Sequence, residues 1–236
     1  MGVRTTQTTL VCLPFAGAGA AFYQPWSGLV DGSPAIRPVQ LPGRGRLIDE
    51  EPYTGVQEAV EGLLPELAGE LAGAGPTALF GHSLGAVLGY ELAHRLCAVP
   101  GVELVRFFAS GSHPPQVSRP GRAAGLPDAE FLARVQEFAG YRDEALNDPE
   151  LLELVLPSLR ADVEMHESYR PSTDLPLHVP ITAIRGRDDR LVGAADAAGW
   201  AGTTSAGFDM VELPGGHMYL IESAEPLMEL ICAAVE

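Results

Sequence analysis

Short apolar runs and amphipathic stretches alternate along this chain. Residues 8–13, 35–41, 77–80, 102–109, 179–184 and 208–213 read as strands buried on both faces. Between them, Val56, Val60, Leu63, Leu64, Leu67 and Leu71 recur at helical spacing, predicting a helix over 56–71. Residues 84–96 and 224–235 predict two more helices. Strand and helix in alternation, joined by short links, mean an α/β fold: a mostly parallel sheet with helices on both faces. No repeat at a solenoid period interrupts the pattern. The whole of 1–236 is expected to form one domain.

One segment breaks the alternation. From 111 to 176 no strand is predicted. Pro114, Pro115, Pro120, Gly121 and Gly125 give it an irregular start, and helices are predicted at 128–138, 148–156 and 159–169. A helical insertion at about 112–176 between two parallel strands is expected to act as a lid over the site.

Composition narrows the function. Hydrophobic residues make up 46% of the chain, too many for a disordered one. The net charge is −16, from 31 acids and 15 bases, and argues against a nucleic-acid partner. Every base is Arg, so no lysine nucleophile or Schiff base is available. Cys12, Cys97 and Cys232 are odd in number and far apart, which fits three buried thiols in a reducing compartment better than a disulfide or zinc framework. Arg4 and the apolar run 10–15 imitate a signal peptide, but Pro14 interrupts the run and cleavage would remove the first strand. A cytoplasmic protein with no membrane contact is expected, since no apolar stretch approaches the roughly 20 residues of a membrane helix. Nothing identifies a subunit interface, so a monomer is expected.

The candidate chemistry centres on Gly81-His82-Ser83-Leu84-Gly85. A predicted strand precedes this G-x-S-x-G string and a predicted helix follows it. The sharp turn between them would lift the Ser83 hydroxyl above the sheet, at a helix N-terminus that favours negative charge. A serine capping an ordinary helix is the competing reading. Ser83 needs a base, and of six histidines His217 is best placed, in the loop Pro214-Gly215-Gly216-His217 after a late strand. His82 reads as packing, His94 as pointing elsewhere, His113 as a candidate pocket residue, and His166 and His178 as structural or surface. The base needs an acid to set its tautomer. Asp189 is favoured by the spacing Gly186…Asp189…Val192, with Asp188 as the alternative. The chain order Ser83…Asp189…His217 is that of α/β-hydrolases. The oxyanion donors would be the backbone N–H of Leu84 and that of Ala16, or else Phe15, in the loop after the first strand.

These residues resemble a known family, the stand-alone type II thioesterases of polyketide synthase and nonribosomal peptide synthetase pathways. The likeness runs nearly end to end: Leu13-Pro14-Phe15-Ala16-Gly17, then Gln40-Leu41-Pro42-Gly43-Arg44-Gly45-Arg46, the elbow, the strings from Asp148 to Leu152 and Leu156 to Asp162, and the histidine loop. The resemblance implies an α/β-hydrolase fold and hydrolysis of acyl groups from the phosphopantetheine arm of an acyl or peptidyl carrier protein. It implies no metal and no cofactor of the enzyme's own. Such carriers are usually acidic, as is this chain, so local arginines are the candidates for docking: Arg119 with Arg122 at the start of the insertion, or Arg44 with Arg46. An oxygen esterase, an acyl transferase or cyclase, and a non-catalytic binding protein of the same fold are the alternatives.

Overall fold

Six strands, all parallel, form one sheet in the computed structural model, which describes residues 7–117, 122–139 and 148–235. The strands are β1 (Thr9–Leu13), β2 (Ala35–Pro38), β3 (Pro76–His82), β4 (Glu103–Ser110), β5 (Ile181–Gly186) and β6 (Phe208–Leu213). Their spatial order is β2-β1-β3-β4-β5-β6. The helices are α1 (Val56–Leu71), α2 (Leu84–Leu96), α3 (Asp128–Ala139), α4 (Pro149–Ser168), α5 (Ala194–Ala198) and α6 (Ala224–Val235). This is the doubly covered parallel sheet of the α/β-hydrolase fold.

Alternate side chains of each strand feed two cores. Val11, Leu13, Leu79, Phe107, Ile181 and Ala183 face α1, α2 and Trp200. Leu10, Cys12, Ala78, Phe80, Phe108 and Ile184 face α6 and a short 3-10 helix, Ala20–Trp26. Both faces being apolar, the strands read as continuous hydrophobic runs. The 3-10 helix was not anticipated. Its Tyr23 and Trp26 are buried edge-on against Phe80, with centroids 6.1 and 5.1 Å away, and fill the core beneath the loop after β1.

Strand register sets where the site lies. Leu13 pairs with Gly81, His82 with Ser110, Ser110 with Ile184, and Gly186 with Leu213. The carboxyl ends of five strands therefore reach one edge at one level, where ligands bind in open parallel sheets.

The segment 112–176 holds α3 and α4 and no named strand among its described residues. Residues 148–156 and 159–169 were expected as two helices, but α4 is continuous across them and runs through Pro157. α1 likewise runs through Pro65. Both prolines are exposed, so the carbonyl that each deprives of a partner faces water, which lessens the penalty. Asp148 caps α4, its Oδ1 accepting from the N–H of Glu150 at 2.9 Å and of Leu151 at 3.3 Å. Ala123, Phe131, Leu159 and Val163 form a small third core that packs on Ala16, beyond β1. Cys12 and Cys232 are buried, but Cys97 is exposed just past α2, contrary to the expectation of three buried thiols. Among the described residues no helix is long and apolar enough to cross a membrane.

Two helical glycines give opposite predictions for one substitution. A Cβ on Gly89 in α2 would lie 2.7 Å from Phe107 Cε2, and that ring is held edge-on against buried Trp200. A Cβ on exposed Gly69 in α1 would meet nothing within 4 Å. Helix propensity favours alanine by about 1 kcal/mol at either site, whereas overpacking costs about 1–3 kcal/mol. In urea denaturation Gly69→Ala should stabilise by about 0.5–1 kcal/mol and Gly89→Ala should destabilise by about 1 kcal/mol.

Candidate active site

Ser83 joins the last residue of β3 to α2 with φ 53° and ψ −113°, and among the described residues it alone combines a positive φ with a side chain. Such a backbone costs about 1–3 kcal/mol and persists only where its surroundings impose it. Here they do. A Cβ at Gly81 would fall on the Gly85 carbonyl, and one at Gly85 on the Leu13 carbonyl, so strand end, helix start and loop touch backbone to backbone. The Ser83 N–H donates to the Ser110 carbonyl (2.8 Å), and the Ala86 N–H to the Ser83 carbonyl (3.0 Å). Ser83 occupies the N-cap position of α2, yet its side chain makes no capping hydrogen bond. The hydroxyl is thus not consumed in the way the competing reading requires.

His217 sits in the loop after β6, buried, with Nδ1 2.9 Å from Asp189 Oδ2. The loop comes close because Gly186 has no Cβ: one there would overlap the Gly216 carbonyl. The other oxygen of Asp189, Oδ1, accepts from the N–H of Leu191 (2.8 Å) and of Val192 (3.1 Å). Burial pushes this carboxyl up, but the hydrogen bond and charge of His217 and the two N–H groups together hold it below the ordinary carboxylate value. Asp188 is exposed, and its N–H donates to the Gly215 carbonyl. Asp189 is therefore the acid brought to His217.

Ala16 lies in the loop after β1 and packs against the third core; Leu84 is the first residue of α2 and is buried. Arg44 differs from expectation. It is buried and forms a two-point pair with Asp162 of α4, at 2.5 and 2.7 Å, so it is not a docking arginine. Arg46 and Arg122 are exposed. Arg119 lies outside the described residues.

His82 was expected to be mere packing. Its ring centroid is 4.9 Å from that of His217, and its Nδ1 is 2.8 Å from Ser110 Oγ, which is 2.7 Å from the Tyr219 hydroxyl. It heads a buried polar chain beside the candidate base. Burial pushes the Tyr219 phenol up, keeping it neutral. His94 is edge-on to Tyr90, and burial lowers its pKa. His113 and His166, both buried, line a small pocket with Val87, Ser112, Tyr169 and Arg170. His113 thus lines a pocket, and His166 is interior. His178 is exposed, with Nδ1 2.6 Å from Ser205 Oγ. No group of three or more His, Cys, Asp or Glu fit to hold a metal ion occurs among the described residues.

Known proteins share this fold and much of this sequence. The family model described as thioesterase domain matches residues 8–235. The chain is 34% identical over 224 residues to the gramicidin S biosynthesis protein GrsT of Aneurinibacillus migulanus, covering 94% of this chain and 87% of that one. Among solved structures, the type II thioesterase BorB from the borrelidin biosynthetic cluster superposes with a TM-score of 0.84 at 31% identity, covering 98% of this chain and 92% of that one. RedJ, the thioesterase of the prodiginine pathway in Streptomyces coelicolor, gives a TM-score of 0.87 at 30% identity, with 96% and 85% covered. Strand order, a serine on a strained elbow and sequence likeness along almost the whole chain agree, and the chain belongs to the thioesterase family of hydrolases.

Proposed function

We propose that this protein hydrolyses acyl groups from the phosphopantetheine thiol of acyl or peptidyl carrier proteins, with Ser83 as nucleophile, His217 as base and Asp189 as its orienting acid. The observation that carries the reading is the Ser83 backbone, strained and uncapped where strand ends converge. The relatives favour the carrier: GrsT is named for gramicidin S biosynthesis, and BorB comes from a biosynthetic cluster.

With Nδ1–H directed to Asp189, the lone pair of His217 lies on Nε2. Nε2 takes the Ser83 proton as Oγ bonds to the thioester carbonyl carbon. The N–H groups of Leu84 and Ala16 hold the oxyanion, one donor lowering the barrier by about 3–4 kcal/mol. The C–S bond breaks, and the proton on His217 passes to the departing thiol. Water then attacks the acyl-serine, giving one proton to His217, which returns it to Ser83 Oγ as the acid leaves. The helical insertion is proposed as the lid, and Arg122, with Arg119, as a contact for an acidic carrier.

Mass spectrometry of acyl-loaded carrier tests this directly. Wild type should remove the acyl mass and Ser83→Ala should not; carriers left loaded by a wild type that cleaves oxygen esters would overturn the reading. Asp189→Asn should lower kcat by about 10³–10⁴-fold, while Asp188→Asn stays within about twofold. Arg119→Glu with Arg122→Glu should raise KM for loaded carrier and leave kcat for a small thioester unchanged. Another consequence concerns pH. The Asp189 carboxyl is depressed in the fold, so its stabilising contribution is present above the ordinary carboxylate value and is lost as pH falls through the folded one. The stability gap between wild type and Asp189→Asn, measured by urea denaturation, should therefore narrow as pH falls from 5 towards 2.

A further inference from the structure

The oxyanion loop is tied to the insertion by a buried charge that the proposed mechanism does not use. The Gly17 N–H, one residue beyond Ala16, donates to Asp162 Oδ2 at 2.8 Å. The same oxygen receives Arg44 Nη1 at 2.5 Å, and Oδ1 receives Nη2 at 2.7 Å. Arg44 Nη1 also donates to the Ala18 carbonyl at 3.2 Å. Gln40 completes the clamp: its Oε1 accepts from the Ala20 N–H at 3.1 Å, and its Nε2 donates to the Arg44 carbonyl at 3.2 Å. The residues after Ala16 are thus held at Gly17, Ala18 and Ala20. Before it, the Leu13 and Pro14 carbonyls lie against Gly85.

Asp162 and Gly17 are 145 positions apart in sequence, and Asp162 belongs to α4. Leu159, one turn earlier, would stand 3.2 Å from a Cβ on Gly17, whose φ of +82° suits glycine. From these contacts we infer that Asp162, held by Arg44, is a positioning residue: it fixes the oxyanion donor at Ala16 through Gly17, so that hydrolysis requires α4 to be seated. The inference rests on the hydrolytic reading given above.

Two physical arguments support a role beyond holding the fold. A buried ion pair is a poor stabiliser, because desolvation offsets much of its attraction, and apolar side chains of similar volume often serve as well or better. What the pair adds is direction, since a carboxylate with three N–H donors accepts only one arrangement of them. An oxyanion donor has such a need: it must meet the developing charge within a few tenths of an ångström.

The test replaces the pair by apolar residues, Arg44→Met with Asp162→Leu, and takes Asp162→Asn as a second variant. The probes are an acyl-N-acetylcysteamine thioester for kcat and KM, and amide hydrogen exchange of Gly17 and Ala18 by NMR. The double variant should fold with a Tm equal to or above that of wild type. Its kcat should fall by about 10–10²-fold, less than for deletion of a donor, with KM within about threefold. Exchange at Gly17 should quicken by about tenfold or more. Asp162→Asn, which keeps an acceptor but loses the charge, should move both readouts the same way by less. A folded double variant with wild-type kcat would overturn the inference, as would unchanged exchange at Gly17. If the double variant does not fold, Asp162→Asn decides by the same two readouts. If wild type hydrolyses no thioester, the hydrolytic reading falls, and exchange at Gly17 still decides whether Asp162 holds the loop.

Discussion

The site depends on backbone meeting backbone at the end of β3. Gly81 and Gly85 cross with no room for a Cβ on either, and Gly85 in turn lies against the end of β1. That crossing forces the chain at Ser83 into a conformation that a side chain ordinarily avoids. It also brings the start of α2 and the loop after β1 together around one point. Parallel pairing of β1 and β3, Leu13 opposite Gly81, brings the two glycines into reach of that loop. The flanking strands then deliver their own loops to the same edge, and Gly186 repeats the device by letting the histidine loop lie directly on β5.

Much of this was legible from sequence because it is local. The elbow is five consecutive residues, and the strands are short apolar runs whose order in the chain nearly fixes a doubly covered sheet. Between Asp188 and Asp189, the spacing to Gly186 and Val192 favoured Asp189 and left Asp188 as the alternative. The choice is decided by burial and by the N–H groups of Leu191 and Val192, which turn one carboxyl inward. What sequence concealed is long-range. Arg44 read as a surface arginine because nothing near it announces a partner 118 positions away. The 3-10 helix Ala20–Trp26 follows a Gly/Ala-rich loop and is stabilised by the core beneath it. The predicted gap between the helices at 148–156 and 159–169 is closed in α4, where tertiary contacts lie on both sides of Pro157.

The second recurring device is the buried or half-buried acid with several donors. Glu91 in α2 accepts from the Tyr169 hydroxyl at 2.8 Å and from Ser172 through both N–H and Oγ, and so fastens the chain just beyond α4. Glu167 accepts from the N–H groups of Ala123 and Ala124 at 2.6 and 3.1 Å. With Asp162 these acids secure α4 at its middle, near its end and just past it. Burial raises the Asp162 carboxyl despite Arg44 and Gly17. Each acid is nonetheless supplied with donors, as buried charge requires.

α3 is held differently. It meets α4 through apolar side chains, chiefly Phe131 against Leu159 and Val163, and through Arg160, which lies 4.2 Å over the Phe131 ring and pairs with exposed Asp128. Contacts of that kind tolerate repacking, since volume and polarity matter more than any single direction. The insertion is thereby split in what it permits over evolutionary time. On α3, substitutions can accumulate almost independently. On α4, a change at Asp162 must be matched at Arg44, so drift there proceeds by coupled pairs or not at all.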